Sequence, residues 1–208
     1  DSSGLKSPYA LSDDVVYSVV SDIATAKDLE IASRLEFDKD TFEPYLELPQ
    51  LPQRVLDLAD SLKTEGAAPY QRALAIQAYL QSNYTYSLDV APLPPGRDAV
   101  DYFLFEERKG YCEHFASAFA VLCRLQGIPS RVVTGYATGD YNPFSGLYEV
   151  SLDDAHAWVE IYLQGSGWVT MDPTPGFSPP QPSQGSASLW IFGDLFRWMG
   201  NRISSILP

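Results

Sequence analysis

The sequence predicts an α+β domain in which a cysteine opens a central helix packed on an antiparallel sheet. Three observations predict it. Apolar residues keep a helical spacing in the segments between Pro52 and Gln126, the period changes to two from Arg131 onward, and Gly127-Ile128-Pro129 stands at the changeover. Helices followed by short consecutive strands form a helical layer covering one face of a sheet.

The totals fit one such core. With 208 residues and 45% hydrophobic content, the chain can bury a sizeable interior, and length alone does not demand two domains. Thirteen tyrosines, ten phenylalanines and four tryptophans are too many bulky rings for a disordered chain.

Taken in order, residues 1–50 form a lead-in region expected to pack on the core. It holds a strand-like run at Val15–Val20 and a mixed stretch ending in Tyr45-Leu46-Glu47-Leu48-Pro49. The main core is expected over 51–175. From Pro52, Val55, Leu58, Ala59 and Leu62 keep the i, i+3, i+4, i+7 spacing, with proline at the start and Gly66 at the end. Pro69 to Asn83 repeats that logic, so two helices are expected side by side. Residues 89–98 (DVAPLPPGRD) carry three prolines and a glycine and predict a loop. Ala99–Glu107 reads as a short helix broken by Gly110, and Tyr111–Gln126 as a long apolar helix closed by Gly127.

Beyond it, 131–137, 147–151, 155–163 and 168–172 are β-branched or aromatic runs divided by Gly, Asn and Pro, which predicts consecutive antiparallel strands. The run 173–188 (PTPGFSPPQPSQGSAS) has no periodicity, so the core is expected to end at 175 and a Pro/Ser/Gly-rich linker to fill 176–188. In 189–208, Trp190, Ile191, Leu195, Trp198 and Ile203 stand among few charges. That pattern fits an amphipathic or membrane-proximal segment and equally a terminal helix packed on the domain.

A formal charge of -13 excludes nucleic acid as a partner, since phosphate binding needs clustered Lys and Arg. The acidic residues are scattered without the spacing of a calcium loop and read as a solvated face. No metal or other cofactor is expected. The chain opens at Asp1 with neither a signal peptide nor an apolar run long enough to span a bilayer, and it is expected to be a piece of something longer.

Two cysteines invite a disulfide, but Cys112 and Cys123 share the predicted helix. About eleven residues at a rise of about 1.5 Å separate them by roughly 16 Å, whereas a disulfide needs Cα atoms within about 7 Å. Both thiols are expected to be free. Cys112 follows Gly110-Tyr111 at the helix start, where free backbone N–H groups and the helix dipole favour a thiolate. Cys123, among Val121, Leu122 and Leu125, reads as a small core residue.

The chain has two histidines to serve such a thiol. His114 lies two residues from Cys112 on the same helix, where side chains diverge. His156 lies in the strand Ala155-His156-Ala157-Trp158-Val159-Glu160. The next strand ends Trp168-Val169-Thr170-Met171-Asp172. Pairing Tyr162 with Trp168 sets Trp158 opposite Asp172 and His156 diagonal to the carboxylate on the same face. Because strand side chains alternate, this requires a loop of odd length or a bulge. Cys112, His156 and Asp172 are the candidate catalytic residues.

Four ordered blocks then carry a family resemblance: Gly110-Tyr111-Cys112-Glu113-His114-Phe115-Ala116, Gly127-Ile128-Pro129-Ser130-Arg131 through Tyr136, Asp154-Ala155-His156-Ala157-Trp158-Val159-Glu160, and Gly167-Trp168-Val169 with Met171-Asp172-Pro173-Thr174. They resemble the bacterial transglutaminase-like superfamily. Further likeness at Tyr45–Pro49, Asn83–Leu88 and Phe103–Glu106 points to its membrane-anchored TgpA-like group.

The resemblance implies a papain-like transglutaminase core and acyl transfer through a thioester. Its substrates would be glutamine-containing proteins or peptides with amine acceptors. The domain would stand outside the cytoplasmic membrane in a membrane-anchored protein, with no cofactor. A peptidase or amidase with the same three residues, or a silent peptide- or cell-wall-binding module, are the alternatives. Tyr102 and Tyr111 are candidates for oxyanion support, Trp158 supports the site, Asp154 either caps or orients the histidine strand or is a turn residue, and Arg131 and Tyr136 read as structural.

Overall fold

In the computed structural model the chain is described over residues 25–32 and 37–177. The expected strand at 15–20 and the segment 189–208 lie outside them. Helices α1 (Ala26–Ala32) and α2 (Lys39–Phe42) lead into a 3-10 turn at Glu43–Tyr45. Then follow α3 (Gln53–Ser61), α4 (Pro69–Asn83), β1 (Thr85–Tyr86), α5 (Ala99–Tyr102), β2 (Lys109–Gly110) and α6 (Cys112–Leu125). The strands β3 (Ser130–Tyr136), β4 (Asp140–Asn142), β5 (Leu147–Glu149), β6 (Ala155–Leu163) and β7 (Gly167–Met171) complete an α+β architecture. No helix among the described residues is long and apolar enough to cross a membrane.

The core lies between α6 and the sheet β3-β6-β7, with β6 in the middle. Alternation along β6 turns Ala157, Val159, Ile161 and Leu163 inward, where they meet Phe115, Phe119 and Leu122. Both α3 and α4 pack chiefly on α6. Helix α4 has the expected bounds, with Pro69 in its first turn. Helix α3 is shorter than its apolar pattern: it stops at Ser61, whose hydroxyl donates to the Leu58 carbonyl, and Gly66 belongs to the following turn.

The segment Ala99–Glu107 also differs from a plain helix. After Asp98 accepts from the Asp101 N–H, one α-turn widens into a π-helix over Phe103–Glu107. Arg108, at φ 54°, ends it, not Gly110. Gly110 has another task, because a Cβ there would sit 2.8 Å from the His114 side chain. The other face of the sheet carries an aromatic layer in which Phe42 stacks on Tyr162 (3.9 Å) and Tyr45 meets Trp168 (4.7 Å). Arg131 lies over Trp168 and pairs with Glu160 at 2.6 Å, a structural role as expected.

Residues 147–151 do not join the main sheet. β5 pairs only with β4, in a separate two-stranded ribbon. Asn142 explains this locally: its Oδ1 accepts from the N–H groups of Phe144 and Ser145, and its carbonyl accepts from Gly146. That turn closes a hairpin at once and leaves the slot beside β3 to β6.

Arg54 of α3, with Arg97, grips Asp101 and Glu106, and so fixes the π-helix that leads to Cys112. The Arg54 guanidinium holds the Asp101 carboxyl below the usual carboxylate range. Asp101→Asn is expected to lower stability by about 1–2 kcal/mol, the lower part of the range for charged hydrogen bonds because Arg54 is half exposed. With its folded-state pKa depressed, Asp101 contributes this stability above the ordinary carboxylate range and loses it as pH falls through the folded value. Urea midpoints of the two proteins should differ fully at about pH 7 and converge as pH falls below the ordinary carboxylate range.

Candidate active site

Helix α6 begins with Cys112 at its first position, capped by Tyr111 in an extended conformation. A two-residue parallel bridge sets this start: Tyr86 of β1 pairs with Gly110 of β2, and Ser87 donates to the Gly110 carbonyl at 2.8 Å. The last turn is a Schellman motif: Ile128 donates to the Cys123 carbonyl, Gly127 to that of Arg124, and Gly127 adopts φ 73°. Both helix ends are therefore fixed, and Cys112, half-buried against the core, is held at a stationary N-terminus.

The two cysteines differ as their settings predict. Both are free. Cys123 is fully buried, and burial pushes its thiol far above the ordinary value. Iodoacetamide is expected to label Cys112 in the native protein and Cys123 only after denaturation, as read by mass spectrometry of the two peptides.

The two histidines also part. His114 Nδ1 accepts from the Tyr111 N–H at 3.4 Å, so this ring caps α6, and burial lowers its pKa and favours the neutral form. His156 is the second residue of β6, and its Nε2 lies 2.6 Å from Asp172 Oδ2. Both side chains of this pair are nine-tenths buried. Asp172 Oδ1 accepts from the Thr174 N–H at 2.9 Å, and the Asp172 carbonyl accepts from Gln81 Nε2 at 3.1 Å. The carboxylate is thus fixed by the turn behind it and by α4.

Hairpin parity makes this contact. Tyr162 pairs with Trp168 and Leu163 with Gly167, leaving 164–166 as an odd-numbered turn, and the register carries on to Val159 opposite Met171. Asp172 then falls on the face of His156. The structure brings His156 and Asp172 into direct contact. Cys112 heads the helix packed on the histidine's strand, and its Sγ makes no hydrogen bond to the imidazole among the described residues.

The other candidates distribute unevenly. Trp158 lies parallel to His156 at 6.3 Å, in room left by Gly135, where a Cβ would come within 2.9 Å of the indole. Asp154 accepts from the Ser151 N–H and caps the 3-10 turn that delivers β6. Tyr111 meets His114 edge-on, and Tyr102 lies under the Arg97 guanidinium.

Two residues escaped the sequence. Tyr86, paired with Gly110 two residues before Cys112, stands beside the helix start, and its phenol is raised by partial burial and then by Cys112. Phe177, in the stretch expected to be linker, instead stacks on His156 at 4.3 Å and 21°. A turn through Gly176, at φ 79°, folds it back, and its N–H donates to the Thr174 carbonyl. Tyr86 lay in a block of family likeness without a role attached. Nothing local marked Phe177.

Beside the His156–Asp172 pair opens a groove of about 350 Å³ between α4, the end of β3 and Phe177. Tyr136, expected to be structural, forms part of its wall.

Residues 56–173 match the family described as the transglutaminase-like superfamily. The chain is 43% identical over 143 residues to the uncharacterized protein YebA of Bacillus subtilis (strain 168), covering 65% of this chain and 19% of that protein. It is 40% identical over 141 residues to a protein-glutamine gamma-glutamyltransferase of Pseudomonas aeruginosa, covering 65% and 21%. The crystal structure of the periplasmic domain of TgpA from Pseudomonas aeruginosa aligns with a TM-score of 0.59 at 38% identity, covering 66% of this chain and 48% of that one. The chain spans about a fifth of the length of these curated relatives.

Proposed function

The chain belongs to the transglutaminase-like superfamily, and from that membership we propose that it is a cysteine acyltransferase acting on glutamine carboxamides with primary amines as acceptors. Cys112 is the nucleophile, His156 its proton carrier and Asp172 the carboxylate that orients the ring. The observation that carries this reading is the contact of His156 Nε2 with Asp172. It fixes the tautomer and leaves Nδ1, which makes no hydrogen bond among the described residues, for the thiol.

The Cys112 thiolate attacks the carboxamide carbon, a C–S bond forms, and the imidazolium protonates the departing ammonia. A neutral amine then attacks the thioester: the C–N bond forms, the C–S bond breaks, and the amine proton passes to His156. The oxyanion of each tetrahedral intermediate needs donors. The Cys112 backbone N–H, in the first helical turn where intrahelical partners are lacking, is one. Tyr102, Tyr111 and Tyr86, which the β1–β2 bridge pairs with Gly110 two residues before Cys112, are the candidates for the second.

The Pseudomonas aeruginosa relative's name supports transfer to an amine over hydrolysis. The likeness to a periplasmic domain supports an extracytoplasmic position, as part of a longer membrane-anchored protein. The test incubates the domain with a glutamine-containing protein and a labelled primary amine. Incorporated label supports transfer; fragments or released ammonia without label support a peptidase or amidase. Neither product, together with Cys112 alkylating no faster than Cys123, would leave a silent binding module.

A further inference from the structure

A second cavity, of about 330 Å³, opens between α3 and the last residues of α6, at the far end of that helix from Cys112. The 14 residues of α6, at a rise of about 1.5 Å each, set the two ends roughly 20 Å apart, so this cavity stands outside the acyl-transfer site. One wall is a stripe of α3. Gln53, Leu56, Asp57 and Asp60 follow at helical spacing on one side, while Val55 and Ala59 are buried in the core. Leu125 and Gln126 form the opposite wall.

Gln126 is only 7% exposed. Its Nε2 donates to the Ala59 carbonyl at 2.9 Å, and its backbone carbonyl accepts from Arg72 Nη1 at 2.8 Å. Because Ala59 holds the amide nitrogen, Oε1 turns away from that carbonyl, and no donor among the described residues reaches it. A buried amide oxygen left unpaired is unfavourable. The cavity that Gln126 lines is the route by which a donor can come.

The surroundings select the donor's charge. Asp57 and Asp60 are exposed on the rim, about one helical turn apart, and Asp57 is steadied by Gln53 Nε2 at 2.9 Å. The carboxyl ends of α3 and α6 lie beside them, where the helix dipoles are negative. An anion is repelled from this corner. A bare metal ion is far smaller than the cavity, and no group of three Asp, Glu, His or Cys side chains set to hold one exists among the described residues. Leu56 and Leu125 add an apolar strip that suits a methylene stem. A guanidinium on such a stem carries five N–H donors in a planar fork, enough for two carboxylates and an amide oxygen together.

We infer that this cavity binds an alkyl guanidinium, with its N–H groups on the Asp57 and Asp60 carboxylates and on Gln126 Oε1. Lys63, at the same rim, is the competing cation. A free alkyl guanidine and the arginine side chain of another protein share this chemistry.

The test titrates the isotope-labelled protein with agmatine, with a capped Gly-Arg-Gly peptide and with the neutral analogue n-butylurea, following backbone and side-chain amide resonances. Agmatine is expected to shift the Gln126 side-chain NH₂ and the Leu125 amide to saturation, and n-butylurea to bind at least about tenfold more weakly. The double substitution Asp57→Asn with Asp60→Asn should weaken agmatine about tenfold, and Lys63→Gln should tighten it about twofold. Asp89→Asn, at a fully exposed carboxylate elsewhere, should change nothing. All four positions are on the surface, and melting curves without ligand check that each variant folds.

Peptide binding as tight as agmatine assigns the site to an arginine side chain, and binding of agmatine alone assigns it to a free guanidine. Shifts that never saturate, or that survive the double substitution, would overturn the site and leave general attraction to a chain of charge -13. Saturable shifts at Asp57 and Asp60 that spare Gln126 would overturn it equally, because Oε1 would then be served by an ordered water.

Discussion

Cys112→Ala is expected to incorporate no labelled amine above the uncatalysed rate, a loss of at least about 10⁴-fold, because the proposed reaction runs through a bond to that sulfur. No other thiol is placed to stand in. Cys123 is the only other thiol; it is fully buried in α6, and its raised pKa keeps it protonated. The substitution removes one half-buried sulfur at a helix start, so thermal unfolding should shift little. Label incorporation into a glutamine-containing protein, followed beside the melting curve, checks this. A folded Cys112→Ala protein keeping more than about 1% of wild-type transfer would show that another group attacks the carboxamide.

Asp172→Asn is expected to cost on the order of 10³-fold in kcat while leaving amine KM within a few-fold. Two donors converge on this carboxylate from different directions, His156 Nε2–H onto Oδ2 and the Thr174 N–H onto Oδ1. An asparagine offers one acceptor and one NH₂ group. If its oxygen keeps Thr174, the NH₂ faces Nε2 and favours the tautomer that protonates Nδ1, the nitrogen proposed as base. If its oxygen keeps His156, two donors meet at Thr174, nearly all of which is buried, and the turn must open. That turn also carries Phe177, so the second outcome also frees the imidazole face that this ring covers. The kcat and the melting temperature together separate the two. A variant with wild-type kcat would remove Asp172 from the mechanism.

Much of the architecture was legible because its causes are local. Pro69 and Asn83 bound α4, and Gly127 closes α6, since proline and glycine act on their own φ. The odd turn at 164–166 was required by strand alternation once Asp172 had to meet His156, and the register has that parity. The separation of the two cysteines along one helix followed from the helical rise. The separation of the two histidines began as an argument from spacing and ended with distinct tasks, one ring capping α6 and the other held by a carboxylate.

What remained illegible has causes remote in the chain. The widening of residues 103–107 into a π-helix buries Phe103 and Leu104 while Phe105 lies under Arg54 of α3, a fit no single-helix periodicity contains. The ribbon β4–β5 looked like part of the sheet because period and composition cannot say which strand pairs with which. Tyr86 reaches the thiol's surroundings only through the β1–β2 bridge, and Phe177 reaches the imidazole only through the turn after Asp172. By itself the sequence determined the family, the order of most elements and the residues proposed for acyl transfer. The tertiary structure alone decided which rings surround them, because an aromatic contact records where two distant backbones meet and leaves no period in either.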